Sequence, residues 1–194
     1  MRSDTGRILA ELARSLSPRR IRHSHAVSRW AGQLARLHGV NPVRAERAGL
    51  LHDLAKEWTS ARLVRYVQRN KIPVPGLEEI VALGQGGLLH GYVSADLAKR
   101  RGFVRDRQTL KAMARHTLGH RRMGPLDRVL YVADFSSSDR RYAEAARVRR
   151  LARRDLTAAL RAAVSYKIMD IVGRSAFLHP STVGLWNAAC KGRE

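Results

Sequence analysis

The sequence predicts an all-α protein with one core, and three observations carry that prediction. Apolar residues recur at three- and four-residue spacing along almost the whole chain, the period of a helix with one buried face. Asn, Asp and Pro, residues that open helices, stand ahead of many of the apolar runs. No segment alternates apolar and polar residues as a half-buried strand does; VLYVADF, residues 129–135, comes nearest. Length and composition agree. The 194 residues suit a single domain, at roughly 150 residues per domain, and 44% hydrophobic residues can build a real core.

The first helix is expected from Asp4 to Leu16, ahead of Pro18, and the second from Arg19 to His38, ended by Gly39. Asn41 then caps a third, with Pro42 in its first turn, running through PVRAERAGLLHDLAKEW to Trp58. Thr59–Ser60 separates it from a fourth, ARLVRYVQRN. KIPVPG is the clearest loop and LGQGGLLHG a second, glycine-rich break. Further helices are expected over 91–100, 106–116, 125–135, 139–153, 155–172 and 180–190, with Asp106, Pro125, Asp139, Asp155 and Pro180 as starts. Internal repeats are absent.

Against 16 acidic residues the chain carries 37 basic ones, a formal charge of +21, and only six of the 37 are lysines. So cationic a chain suits a polyanionic partner: nucleic acid, nucleotide or an anionic surface. Solvated helix faces account equally well for most of the excess. One cysteine, Cys190, excludes an internal disulfide framework and a site built from several thiolates. The N-terminus, MRSDTGRILAELARSLSPRR, lacks the apolar stretch of a signal peptide, and nowhere do 18 apolar residues run together. The chain therefore reads as soluble and cytoplasmic, without a membrane partner.

The histidines sort by helix face. His23 aligns with Val27, Trp30, Ala31 and Leu34 and so points inward, whereas His25 aligns with Arg29, Gly32 and Arg36 and points outward. His52 and Asp53 lie within AGLLHDLAKEW, among Leu50, Leu51, Leu54 and Trp58, and Asp134 stands near the end of VLYVADF. A carboxylate in so apolar a setting is paired, protonated or bound to a metal. Two of them with two inward histidines favour a metal centre. Imidazole and carboxylate without thiolate suit iron, manganese, cobalt or zinc.

The order His23, His52-Asp53, Asp134 resembles that of the HD-domain metal-dependent phosphohydrolases. Around it stand Arg20-Ile-Arg-His23-Ser24-x-x-Val27, AGLLHDLAK, LLHG, HTLG, LDRVLYVAD with a later Arg140, and LHPST with Asn187. That series, spanning residues 18–187, is similar to the YqeK-type HD proteins, symmetrical bis(5′-nucleosyl)-tetraphosphatases that cleave diadenosine tetraphosphate to two ADP. The resemblance implies a single HD-domain helical bundle with a metal site between its helices. It implies that His23, His52, Asp53 and Asp134 hold one metal, commonly iron, and that Asp53 bridges to a second held also by His90 and His116. It also implies that hydroxide generated on the metals attacks a β-phosphorus in line and expels ADP, with Asp53 and Lys56 in the catalytic set. The nucleotide contacts it suggests are Arg20, Lys56, His90, His116, Thr117, Arg140, Phe177 and His179. Surface pairing for Lys56, and packing for Phe177 and His179, are equally simple readings. His120, the rival of His116, is set toward solvent by its arginine neighbours.

One stretch departs from the family. Where relatives read A-D-Y-I-E-P-x-R, this chain has Ala133-Asp134-Phe135-Ser136-Ser137-Ser138-Asp139-Arg140. Ser137 and Ser138 replace Glu and Pro, so the loop that delivers Arg140 loses a charge and a rigid turn, which bears on substrate preference. Two other functions stay open at this point: an HD phosphohydrolase acting on another nucleotide, and a basic RNA-associated helical module. A homodimer and a secondary contact with nucleic acid are open as partners.

Overall fold

Prolines and capping side chains set where the helices begin. Pro18, Pro42, Pro125 and Pro180 each sit in the first turn of a helix, where a missing N–H breaks no intrahelical bond. Asn41, Thr59, Asp106 and Asp155 each accept from the backbone N–H three residues on, satisfying one of the orphan donors of a helix start. The computed structural model describes residues 4–191; the three residues at either end, included in the one-domain expectation, lie outside the described residues. In chain order the helices are α1 (Asp4–Ser15), α2 (Pro18–Leu37), α3 (Pro42–Leu51), α4 (Ser60–Arg69), α5 (Leu77–Ala82), α6 (His90–Arg100), α7 (Arg107–Arg115), α8 (Pro125–Ser136), α9 (Ala143–Ala152), α10 (Leu156–Gly173) and α11 (Pro180–Cys190). A 3-10 turn, Gly86–Leu89, leads into α6. The fold is all-α: no strand occurs among the described residues, and VLYVADF lies within α8. None of their helices is long and apolar enough to cross a membrane.

The buried apolar residues form one contiguous cluster. Within it α2 lies against α3 and α8, α7 against α6 and α8, and α10 against α8, α9 and α11. Val27, Ala31 and Leu34 of α2 are buried, as is Trp30, whose indole N–H donates to Ser136 Oγ on α8 at 3.0 Å. Two glycines allow the closest approaches. A Cβ on Gly49 would lie 2.7 Å from the Ser28 backbone, so α3 meets α2 at this distance only without one. A Cβ on Gly91 would lie 3.0 Å from the Met113 carbonyl and 3.1 Å from the His116 ring, where α6 meets the end of α7.

Three boundaries differ from the sequence expectation. The third helix stops at Leu51 instead of reaching Trp58. Beyond it the backbone bonds tighten to three-residue spacing, Leu54 to Leu51, Lys56 to Asp53 and Trp58 to Ala55, while the Ala55 N–H goes to Ser94 Oγ on α6. α9 begins at Ala143 and not at Asp139, because the Asp139 carboxylate is bonded to His23 and Ser137, and the Arg140 N–H closes a turn on Ser137. Helix α5 is unforeseen: six residues are too few to display a helical period, and it opens at Gly76 with φ of 63°.

Candidate metal centre

Six side chains from five helices or their ends meet in the interior. His23 comes from the buried face of α2, His52 and Asp53 from the tight turn that ends α3, and His90 from the first residue of α6. His116 caps the end of α7, and Asp134 lies in the last turn of α8. They form three overlapping triads, His23–His52–Asp53, His52–His116–Asp134 and Asp53–His90–His116, each with ligand atoms within 4.8 Å of one another. Asp53 stands at the middle. Its Oδ2 lies 3.5 Å from His52 Nε2, and its Oδ1 lies 3.2 Å from His90 Nε2 and 3.5 Å from His116 Nε2. Asp134 Oδ1 lies 3.1 Å from His23 Nε2 and 3.7 Å from His52 Nε2.

Backbone carbonyls set the histidine tautomers. His52, His90 and His116 each donate Nδ1–H to the carbonyl three residues earlier, on Gly49, Gly87 and Met113, all at 2.7 Å. Each therefore turns an unprotonated Nε2 inward, the state that ligation requires. Two of those nitrogens, on His90 and His116, come within 3.1 Å of each other beside Asp53 Oδ1. Three acceptor atoms converging on one spot attract a cation. His52 Nε2 and Asp53 Oδ1 are buried without a hydrogen-bond partner, a condition that costs about 1–3 kcal/mol per atom if nothing binds there. The donor set, the tautomers and the orphaned atoms all fit a divalent metal.

Protonation states agree. Burial lowers the pKa of His52 to about 4, and burial also lowers His90, so both are neutral near pH 7. Burial pushes the carboxyl groups up, yet the surrounding imidazoles of His52, His116 and His90 hold Asp53 well below the usual carboxylate range. Against the same burial, His23, His52, His116 and Arg140 hold Asp134 down. His23 shifts the other way: burial opposes its charge, but Asp134, with Asp139 behind it, raises its pKa.

The HD-domain model matches residues 20–139, which include all six of these residues. The chain belongs to the HD-domain family. Among HD relatives, the symmetrical bis(5′-nucleosyl)-tetraphosphatase of Bacillus subtilis is 29% identical over 184 residues, covering 95% of this chain and 96% of its own. The protein of the same name from Halalkalibacterium halodurans is 26% identical, covering 94% and 95%. A solved structure from Clostridium acetobutylicum, described as a predicted HD superfamily hydrolase involved in NAD metabolism, superposes with a TM-score of 0.87 at 26% identity, over 94% of this chain and 95% of that one.

Around the HD centre the remaining candidates divide into two sets. Arg20 lies 3.5 Å from Asp53 Oδ2, and Arg140 reaches Asp134 Oδ1 at 3.1 Å. Lys56 Nζ is 3.2 Å from His90 Nε2, and the Thr117 hydroxyl lies 2.9 Å from His90 and 3.1 Å from His116. These four rim the centre. Phe177 and His179 do not join it. His179 accepts from the Ser181 N–H at 3.0 Å to cap α11 and bonds the Pro75 carbonyl at 3.1 Å, so both ring nitrogens are taken, and Phe177 packs edge-on to its ring. His120 also lies apart, bonded to the backbone of Arg122.

Sequence reasoning misses two residues. Asp139, read as a helix start, accepts from His23 Nδ1 at 2.8 Å and from the Ser137 hydroxyl at 2.6 Å, the carboxylate that orients a ligating imidazole. Its one signal is that an acid stands in the loop where the family Glu is absent. Lys167 lines the pocket beside His116 and Asp134; nothing in its local sequence marks it.

Proposed function

We propose that the protein hydrolyses diadenosine tetraphosphate symmetrically to two ADP, using metals held by the six-residue centre. The observation that carries the reading is Asp53, whose two oxygens face two histidine sets, His52 on one side and His90 with His116 on the other. That is the disposition of a carboxylate shared between two metal sites. In support, the relatives named symmetrical tetraphosphatases align along almost the full chain. In this reading His23, His52, Asp53 and Asp134 hold one metal, and Asp53, His90 and His116 the other. We take the metal to be iron, with manganese, cobalt and zinc as the alternatives that elemental analysis decides among.

Metals bound there would supply a nucleophile from water near neutral pH and neutralise charge on the attacked phosphate. The chain's own groups bind and orient. Arg140 and Arg20, whose guanidinium groups already point at the ligating carboxylates, grip phosphate oxygens with paired N–H donors. Lys56 places an ammonium beside His90, where it binds phosphate and can pass a proton. The Thr117 hydroxyl, between His90 and His116, donates to a phosphate oxygen. Asp139 holds the His23 ring in register for ligation. Incubating metal-loaded protein with diadenosine tetraphosphate and separating the products by anion exchange tests the reading. ADP as sole product is the expected result; ATP with AMP, or no turnover beside rapid hydrolysis of other nucleotides, contradicts it.

A further inference from the structure

The pocket beside the metal centre holds a cation to which the reaction just described gives no part. Lys167 of α10 turns its ammonium inward, where it donates to the Thr117 carbonyl and lies 5.1 Å from the centre of the Tyr131 ring. It forms no ion pair with a carboxylate among the described residues; its hydrogen-bond acceptor is a neutral carbonyl. Burial lowers its pKa to about 8, so near neutral pH the group is still charged. A cation withdrawn from water and left without an anion is unfavourable. Lys167 shares a pocket of about 620 Å³ with His116, Asp134 and Arg140, and a ligand entering there can supply the missing anion.

The wall of the same pocket is aromatic. Phe135 and Tyr166 are nearly parallel, 11° between planes and 6.3 Å between ring centres, and Tyr142 stands edge-on to Phe135. Flat, partly exposed ring faces offer a stacking surface to a planar base. A lone cation, a stacking wall and an adjoining metal centre together describe a nucleoside diphosphate.

We propose that this pocket seats the departing nucleoside diphosphate half of the substrate, with Lys167 on its phosphates and Phe135 and Tyr166 against its base. The proposal rests on the hydrolytic reading for the word departing, but the subsite itself can be tested without turnover. Calorimetric titration of ADP and of pyrophosphate into metal-loaded protein is the experiment, with wild type, Lys167→Met, Lys167→Arg and Tyr166→Ala compared at equal metal content. Lys167→Met is expected to weaken both ligands about 10- to 100-fold, the effect of losing a charge-assisted contact, and Lys167→Arg to recover most of the loss. Tyr166→Ala is expected to weaken ADP about 10-fold and to leave pyrophosphate unchanged. ADP affinity indifferent to both Lys167→Met and Tyr166→Ala would overturn the proposal, as would equal losses of ADP and pyrophosphate in Tyr166→Ala. The two readings fail separately. ADP binding that depends on Lys167 and Tyr166 in a protein that leaves diadenosine tetraphosphate intact removes the reaction and keeps the subsite; symmetrical cleavage with ADP affinity indifferent to both residues does the reverse.

Discussion

Asp139 touches none of the cluster directly except His23, yet the 2.8 Å bond to Nδ1 decides how that ring is presented. Asp139→Asn keeps the shape and removes the charge, so metal affinity measured by chelator competition should fall about 10- to 100-fold; an unchanged affinity would remove the positioning role. His52 gives a pH signature to the metal-free protein. Its folded pKa of about 4 lies below the ordinary 6.5, so between those values the unfolded chain binds a proton that the folded one does not. Stability contributed by neutral His52 is therefore complete above pH 6.5 and declines as pH falls toward 4. Asp53 and Asp134, held low, act in the same direction at lower pH, whereas His23, raised, loses its contribution as pH rises through its folded pKa. Urea midpoints of metal-free protein should drop between pH 6.5 and 4, and His52→Asn should flatten the drop; an equal drop in the variant contradicts the assignment. At this scale the sequence displays what local pattern carries: His23 on an apolar stripe, and His52, Asp53 and Asp134 in apolar runs. It hides Asp139, whose partner is 116 residues away, and it misleads at His179, where a helix cap uses a residue type that a ligand site also uses.

Helix starts are legible because Pro, Asn, Thr and Asp act on the backbone next to them. Ends are less so. The turn that stops α3 after Leu51 depends on Ser94 of α6, which takes the Ala55 N–H, and no local rule foresees a partner from a distant helix. The close contact of α2 and α3 is likewise tertiary, and it sets His23 against His52, their ring centres 5.4 Å apart. Gly49→Ala places a Cβ 2.7 Å from the Ser28 backbone and must push the two helices apart. Chemical denaturation should show a loss of about 1–3 kcal/mol, with weaker metal binding alongside; full stability and full metal affinity in the variant would mean that the contact is softer than the backbone geometry requires.

Across the whole molecule the +21 charge has several uses. Arg149 of α9 ties down the Ser136 and Ser137 carbonyls at the end of α8, and Arg115 pairs with Asp127, so part of the excess is structural. The rest forms a positive field that steers a polyphosphate toward the centre, by roughly 10-fold or more in association rate at low salt. The value of kcat/KM should therefore fall as ionic strength rises while kcat holds steady; a flat kcat/KM would leave the surplus without a part in capture. The central claim is that Asp53 joins two metal sites, and metal content per chain, by elemental analysis of reconstituted protein, addresses it most directly. Wild type should hold about two metals per chain, and the His90→Ala/His116→Ala double variant about one, with Asp53→Asn impaired at both sites. One metal per wild-type chain, unaffected by losing His90 and His116, would contradict the account.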